Sequence, residues 1–94
     1  MSATGVERVR DATEEDVPAL VEMIAAEARE AEGRALDPAV VTAAVTAALR
    51  DPTLARTWLL CDGDERVGAI AALREWSDWR NAAYWWIQLV YLVP

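Results

Sequence analysis

Residues 83–93 read Ala-Tyr-Trp-Trp-Ile-Gln-Leu-Val-Tyr-Leu-Val and run into Pro94. The stretch is almost wholly apolar, rich in β-branched and aromatic types, and free of Gly and Pro, so it reads as a strand. A period of two puts Tyr84, Trp86, Val90 and Leu92 on one side and Trp85, Ile87, Leu89 and Val93 on the other. Both sides are apolar, which requires cover above and below and a neighbour along each edge. No residue after Pro94 supplies that neighbour. The expectation is therefore a single domain over 1–94 that is only part of a larger fold.

Working back from this strand, the polar loop Ser77-Asp78-Trp79-Arg80-Asn81 joins it to a second strand, Arg66 to Trp76. Gly68 in that strand marks a bulge or a close backbone approach. Asp62-Gly63-Asp64-Glu65 reads as a hairpin turn to a third strand, Thr57 to Cys61. Two helices precede this meander. Asp37-Pro38 opens the nearer one, with Asp as cap and Pro at the first position. Its apolar face is Val41, Ala44, Val45, Ala48 and Leu49, and Asp51-Pro52 stops it. The earlier helix starts at a capping box, Thr13-Glu14-Glu15-Asp16, and ends at Gly33. Val17, Leu20, Val21, Ile24, Ala25 and Ala28 recur at spacings of three and four on its apolar face. Glu14, Glu15, Glu22, Glu27, Glu30 and Glu32 read as solvated charges. Val6 to Arg10 forms a short first strand. The fold class is thus α+β in the order β-α-α-β-β-β, with two helices and an antiparallel meander of the last three strands.

Composition narrows the chemistry. A chain of 94 residues that is 54% hydrophobic can build one small core and is not disordered by composition. Sixteen acidic residues against nine basic ones, all Arg, give a net charge of −7, so no nucleic-acid partner is expected. No apolar run reaches the ~20 residues that span a bilayer, and Met1–Arg10 lacks a signal-peptide core, so no membrane association is expected. With no His there is no Ser-His-Asp arrangement. One Cys and no His leave no metal site to expect. Cys61 reads as a small buried hydrophobe, and a lone Cys fits a reducing, cytoplasmic setting. With no Phe, the five Trp residues are expected to supply most of the aromatic core volume, and Trp79 is the one expected to be exposed.

This order of elements resembles the N-terminal half of the GNAT (Gcn5-related N-acetyltransferase) superfamily. Val9-Arg10-Asp11-Ala12-Thr13-Glu14-Glu15-Asp16-Val17-Pro18-Ala19-Leu20 looks like that family's first strand running into its first helix. Val67-Gly68-Ala69-Ile70 looks like its third strand. Residues 74–81, Arg-Glu-Trp-Ser-Asp-Trp-Arg-Asn, followed by residues 84–94, look like a hairpin leading into its fourth strand. The resemblance implies a three-layer α/β arrangement of which this is half. It also implies acetyl-CoA as cosubstrate, with its pantetheine arm bonded to the backbone of Leu89, Val90, Tyr91 and Leu92. The family's glycine-rich pyrophosphate loop would begin just after Pro94.

Many members use a fourth-strand glutamate as general base, and the matching stretch here offers only Trp86 and Gln88. Gln88 either orients substrate or water by a hydrogen bond, or satisfies buried backbone groups. Glu75 is the other catalytic candidate, expected to pair near Ala83. Two readings follow. The chain is the N-terminal half of an acetyltransferase, inactive alone and completed by a more basic C-terminal half. Alternatively, it is a non-catalytic module that forms a homodimer through residues 84–93. Proline at Leu89 or Tyr91 would weaken that dimer if the N–H it removes faces the partner.

Overall fold

The computed structural model describes residues 5–94, so part of the Met1–Arg10 segment lies outside the described residues. Strand β1 spans Arg8–Asp11, helix α1 Val17–Glu32, helix α2 Pro38–Arg50, β2 Arg56–Asp62, β3 Glu65–Ser77 and β4 Ala82–Leu92. The strands form one antiparallel sheet in the order β1-β2-β3-β4. The expected three-strand meander is present, and β1 extends it by pairing with β2. The first strand begins at Arg8 rather than Val6. Glu7 still donates its N–H to the Cys61 carbonyl at 2.8 Å, so pairing reaches past the strand's formal start.

The helix boundaries follow local chemistry. A single 3-10 turn, Glu14–Asp16, separates the cap from α1. The Asp16 carboxylate reaches back to accept the Thr13 backbone N–H at 2.7 Å. Gly33, in the left-handed region at φ 63°, ends α1, and its N–H returns to the Arg29 carbonyl at 3.0 Å. The Asp37 carboxylate accepts the Ala39 N–H at 2.9 Å and so caps α2.

Both helices lie on one face of the sheet. Leu20 and Met23 of α1 pack there on Leu59 and Cys61 of β2, Ala69 and Ala71 of β3, and Leu89 of β4. Alanines on β3 let the helices approach closely. Helix α2 packs on α1 and β2 through Val45 and Leu49, which are only partly buried. Cys61 is buried as expected. The same core anchors an ionic cluster. Asp16 is fully buried and takes both oxygens of its carboxylate to Arg10, at 2.8 Å each, with Arg66 at 2.7 Å on one of them. These bonds, that from Arg10 above all, hold its carboxyl well below the usual carboxylate range and raise the Arg10 guanidinium in turn. Among the other acidic side chains, Glu14 pairs with Arg50 at 2.7 Å, whereas Glu27 is half-buried rather than solvated.

Tryptophan does not fill this core, contrary to the reading from composition. No Trp is among the buried residues; Trp76, Trp85 and Trp86 are more than half exposed and Trp79 is 93% exposed. The cause is topological. Pairing of β2 with β3 stops at Arg56 and Ala72, while β3 and β4 continue together to Ser77 and Ala82. The far end of the hairpin is therefore a two-stranded arm with no helix against it, and four of the five tryptophans lie on it. Asn81, at φ 51°, closes the arm's turn in the left-handed region that Asn tolerates.

Candidate functional site

Strand β4 is the edge of the sheet, and it is not regular. Ala71 of β3 faces Leu89, but the next residue, Ala72, faces Ile87, so Gln88 is an extra residue on β4. An unpaired residue of this kind bends its strand and re-aims side chains. The bulge falls one position before the segment Leu89–Leu92. Gly68 holds the other end of that segment close. A Cβ there would collide with the Tyr91 carbonyl and approach Leu92 Cδ2 to 2.8 Å, so only Gly permits this approach of β3 to β4.

Backbone direction along the edge is set by one bond. The Val93 N–H donates to the Val67 carbonyl at 2.8 Å and thus points into the sheet. The strand period of two then turns Tyr91 inward and leaves the N–H and C=O of Val90 and Leu92 along the free edge. Proline at Tyr91 would therefore break the ladder to β3; the positions that test the edge are Val90 and Leu92.

Two hollows share part of their lining, and the one on the helix face flanks the bulge. One, of about 380 Å³, is lined by Leu20, Ile24, Val41 and Val45 from the helices, by Leu89, and by the polar groups Glu27 and Gln88. The Gln88 side chain makes no hydrogen bond to a described residue and is exposed, so it is not engaged in satisfying buried backbone. Glu27 went unnoticed in the sequence because glutamates are frequent on α1. Its half-burial beneath β4 depends on how α1 sits on the sheet. Glu75 lies elsewhere. It pairs with Tyr84, one residue from the expected Ala83, and is four positions along β4 from Gln88. Gln88 and Glu75 are thus not brought together.

The second hollow, of about 800 Å³, shares Ala48, Ala55 and Thr57 with the first and extends to the root of the arm. Arg56, Arg74, Trp76 and Trp85 line it. Its rim is the turn after α2, where the Asp51 carboxylate accepts the Thr53 hydroxyl at 2.6 Å and the Thr53 N–H at 3.0 Å. These bonds lower the Asp51 pKa. Further along β4, the Tyr91 hydroxyl donates to Glu30 at 2.8 Å, a bond that raises its pKa and keeps it protonated. Among the described residues no group of three or more His, Cys, Asp or Glu side chains is placed to hold a metal ion. No helix among them is long and apolar enough to cross a membrane.

No protein-family model and no curated protein sequence matches this chain. Solved structures do. The chain is similar to "a possible acetyltransferase" from Clostridium difficile 630, with 35% identity and a TM-score of 0.87 over 92% of its own length. It is similar to an integron cassette protein from the mobile metagenome of Cole Harbour Salt Marsh, with 32% identity and a TM-score of 0.86 over 96% of its length. An acetyltransferase of Trypanosoma brucei shares the fold at 21% identity and a TM-score of 0.63. The chain spans 57%, 59% and 60% of these three structures. Its fold is the N-terminal half of the GNAT-type acetyltransferase fold, with two helices on a four-stranded antiparallel sheet.

Proposed function

We infer that these residues form the acyl-donor side of an N-acetyltransferase that moves an acetyl group from acetyl-CoA to an amine. The observation that carries this reading is the bulge at Gln88 beside a free strand edge. The outward N–H and C=O groups of Val90 and Leu92 can bond a pantetheine arm as they would bond another strand. The residues fit that arm and not the pyrophosphate. The chain contains no Gly-x-Gly, and its net charge of −7 repels an anionic ligand. Phosphate binding therefore falls to a more basic C-terminal half, in the same or another chain, which completes the enzyme. Bound acetyl-CoA supplies the activated acyl carbon. The protein's task is to place an amine beside it and remove a proton. Gln88 orients the amine or a water at the bulge, and Glu27, the one carboxylate lining that hollow, accepts the proton.

Calorimetry with acetyl-CoA tests the reading. The 94-residue chain should bind weakly or not at all, and a segment carrying a glycine-rich phosphate loop should restore binding. In the completed enzyme Glu27→Gln should lower kcat by about 10²-fold or more with little change in KM. Micromolar affinity of the isolated chain at physiological salt, or no gain from the added segment, contradicts the reading.

A second reading has its own support. The free edge of β4 and the exposed side chains of Trp86, Val90 and Leu92 favour self-association into a homodimer through residues 84–93. The two readings exclude one another at the same edge, so acetyl-CoA and a second copy would compete for it.

A further inference from the structure

The smaller hollow, on the helix face, has an aliphatic wall and a single charge. Its floor is Thr57, Ala71 and Leu89, set side by side by the register: Thr57 faces Ala71, and Ala71 faces Leu89. From α1 come Leu20, Ile24 and Glu27, four and then three residues apart on one helix face. From α2 come Val41, Val45 and Ala48. The α2 side stays open, since no residue of that helix is buried and Ala48 leaves room that a longer side chain would fill. Glu27 is the only charged residue of the lining, which holds no Arg and no aromatic ring. Among the acids of α1, Glu22, Glu30 and Glu32 are exposed and only Glu27 is half-buried. Its carboxylate makes no ion pair or hydrogen bond with a described residue, and neither does the Gln88 side chain beside it.

A carboxylate turned partly away from water and left without a partner favours a cation, and an aliphatic wall favours an apolar body. At about 380 Å³ the hollow lies near the small end of the ~300–1,000 Å³ range of small-molecule pockets. We propose that the acyl acceptor is a small apolar monoamine, an alkyl or cycloalkyl amine whose ammonium is its only charge. Glu27 and Gln88 hold the ammonium, and the body lies between α1 and α2. The same lining disfavours two other classes of amine. A carboxylate next to the amine, as in an amino acid, would face Glu27 with no cation to pair it. A second ammonium, as in a polyamine, would lie against aliphatic side chains with no second carboxylate. The ligand's role as acyl acceptor rests on the acetyltransferase reading, which puts the donor along the Leu89–Leu92 backbone. The preference for an apolar amine comes from the lining alone, so a binding measurement reads it without acetyl-CoA.

The test uses the 94-residue chain and three probes that share one body: 2-cyclohexylethylamine, 2-cyclohexylethanol and cyclohexylalanine. The alcohol lacks the charge, and the amino acid adds a carboxylate to the same amine. Binding is followed through the methyl resonances of Ile24, Val45 and Leu89. The expected result is that the amine shifts these methyls and binds about tenfold more tightly than the alcohol or the amino acid. Glu27→Gln should remove the preference for amine over alcohol, and Glu22→Gln, exposed on the same helix, should keep it. Ala48→Leu should weaken amine and alcohol alike by filling the hollow. The comparison of the three probes on the unaltered chain decides the matter even if a variant fails to fold. Equal binding of amine and alcohol, equal binding of amine and amino acid, or no binding of the amine at millimolar concentration would overturn the proposal. So would shifts confined to the tryptophans of the arm. An amine preference without acetyl-CoA binding at β4 in the completed fold would leave the amine site standing and remove the acetyltransferase reading. Acetyl transfer to cyclohexylalanine as readily as to the amine would do the reverse.

Discussion

The covered and the bare parts of one sheet use apolar residues for different ends. Where β2 and β3 lie under the helices, small side chains suffice. Leu59, Cys61, Ala69 and Ala71 are buried almost completely because α1 sits directly on them. Along β4 and the arm, far larger side chains stay in contact with water, with Trp86 52% and Val90 59% exposed. Hydrophobicity is greater in the second region and burial greater in the first. An apolar strand thus reports what surface must be covered, and not that these residues cover it.

Substitutions should separate the two regions sharply. Leu59→Ala is expected to cost about 2–5 kcal/mol, because a closely packed site loses its contacts and keeps a cavity. Trp86→Ala, although it removes a larger side chain, should change the stability of the chain alone by under about 0.5 kcal/mol, as an exposed position does. Urea unfolding of the two variants measures the contrast. Equal losses would mean that the bare face is covered in solution, most directly by a second copy.

The ionic cluster beneath the first helix sharpens the same contrast. Asp16→Asn should cost about 2–4 kcal/mol, since Arg10 and Arg66 lose their charge partner while both stay partly exposed to water. The folded carboxyl titrates below its unfolded value, so the unfolded state binds more protons as acid is added. The stabilisation is complete above pH ~4, is lost as pH falls through the depressed value, and should be absent from Asp16→Asn. Acid titration of both proteins, followed by circular dichroism, checks the sign. A parallel acid transition in the variant would contradict this role.

A smaller effect is expected where the two regions meet. Gly68→Ala should cost about 1–3 kcal/mol, because the added methyl meets the Tyr91 backbone rather than a side chain that can turn away. The loss should appear first in the exchange of β4 amides, with β1 and β2 unchanged. Uniform loss across the sheet would show that β4 folds with the core and not upon it.

Much of the fold was legible from local chemistry. Asp37, Gly33, Gly63 and the Thr13–Asp16 box mark the helix and hairpin boundaries because capping and turn geometry depend on neighbours in sequence. Gly68 was legible as a close approach for the same kind of reason. The tryptophans were misread because their burial depends on what covers the arm, which no residue near them encodes. Asp16 was read only as a cap. Its two arginines come from β1 and β3, six and fifty residues away. The candidate site was legible at Gln88, the one polar side chain in the middle of the apolar run. The bulge there was not, since it arises from register against β3. Glu27 gains meaning only from the hollow that α1, α2 and β4 line together.

The most direct test of the account is hydrogen exchange at the β4 backbone. In the chain alone the amides of Val90 and Leu92 should exchange freely while those of Tyr91 and Val93 are protected by β3. Adding acetyl-CoA to the fold completed with a phosphate-loop segment should slow exchange at Val90 and Leu92 and leave Tyr91 and Val93 as they were. Acetyl-CoA binding that leaves Val90 and Leu92 exchanging as fast as before would contradict the claim that this edge is the acyl-donor strand.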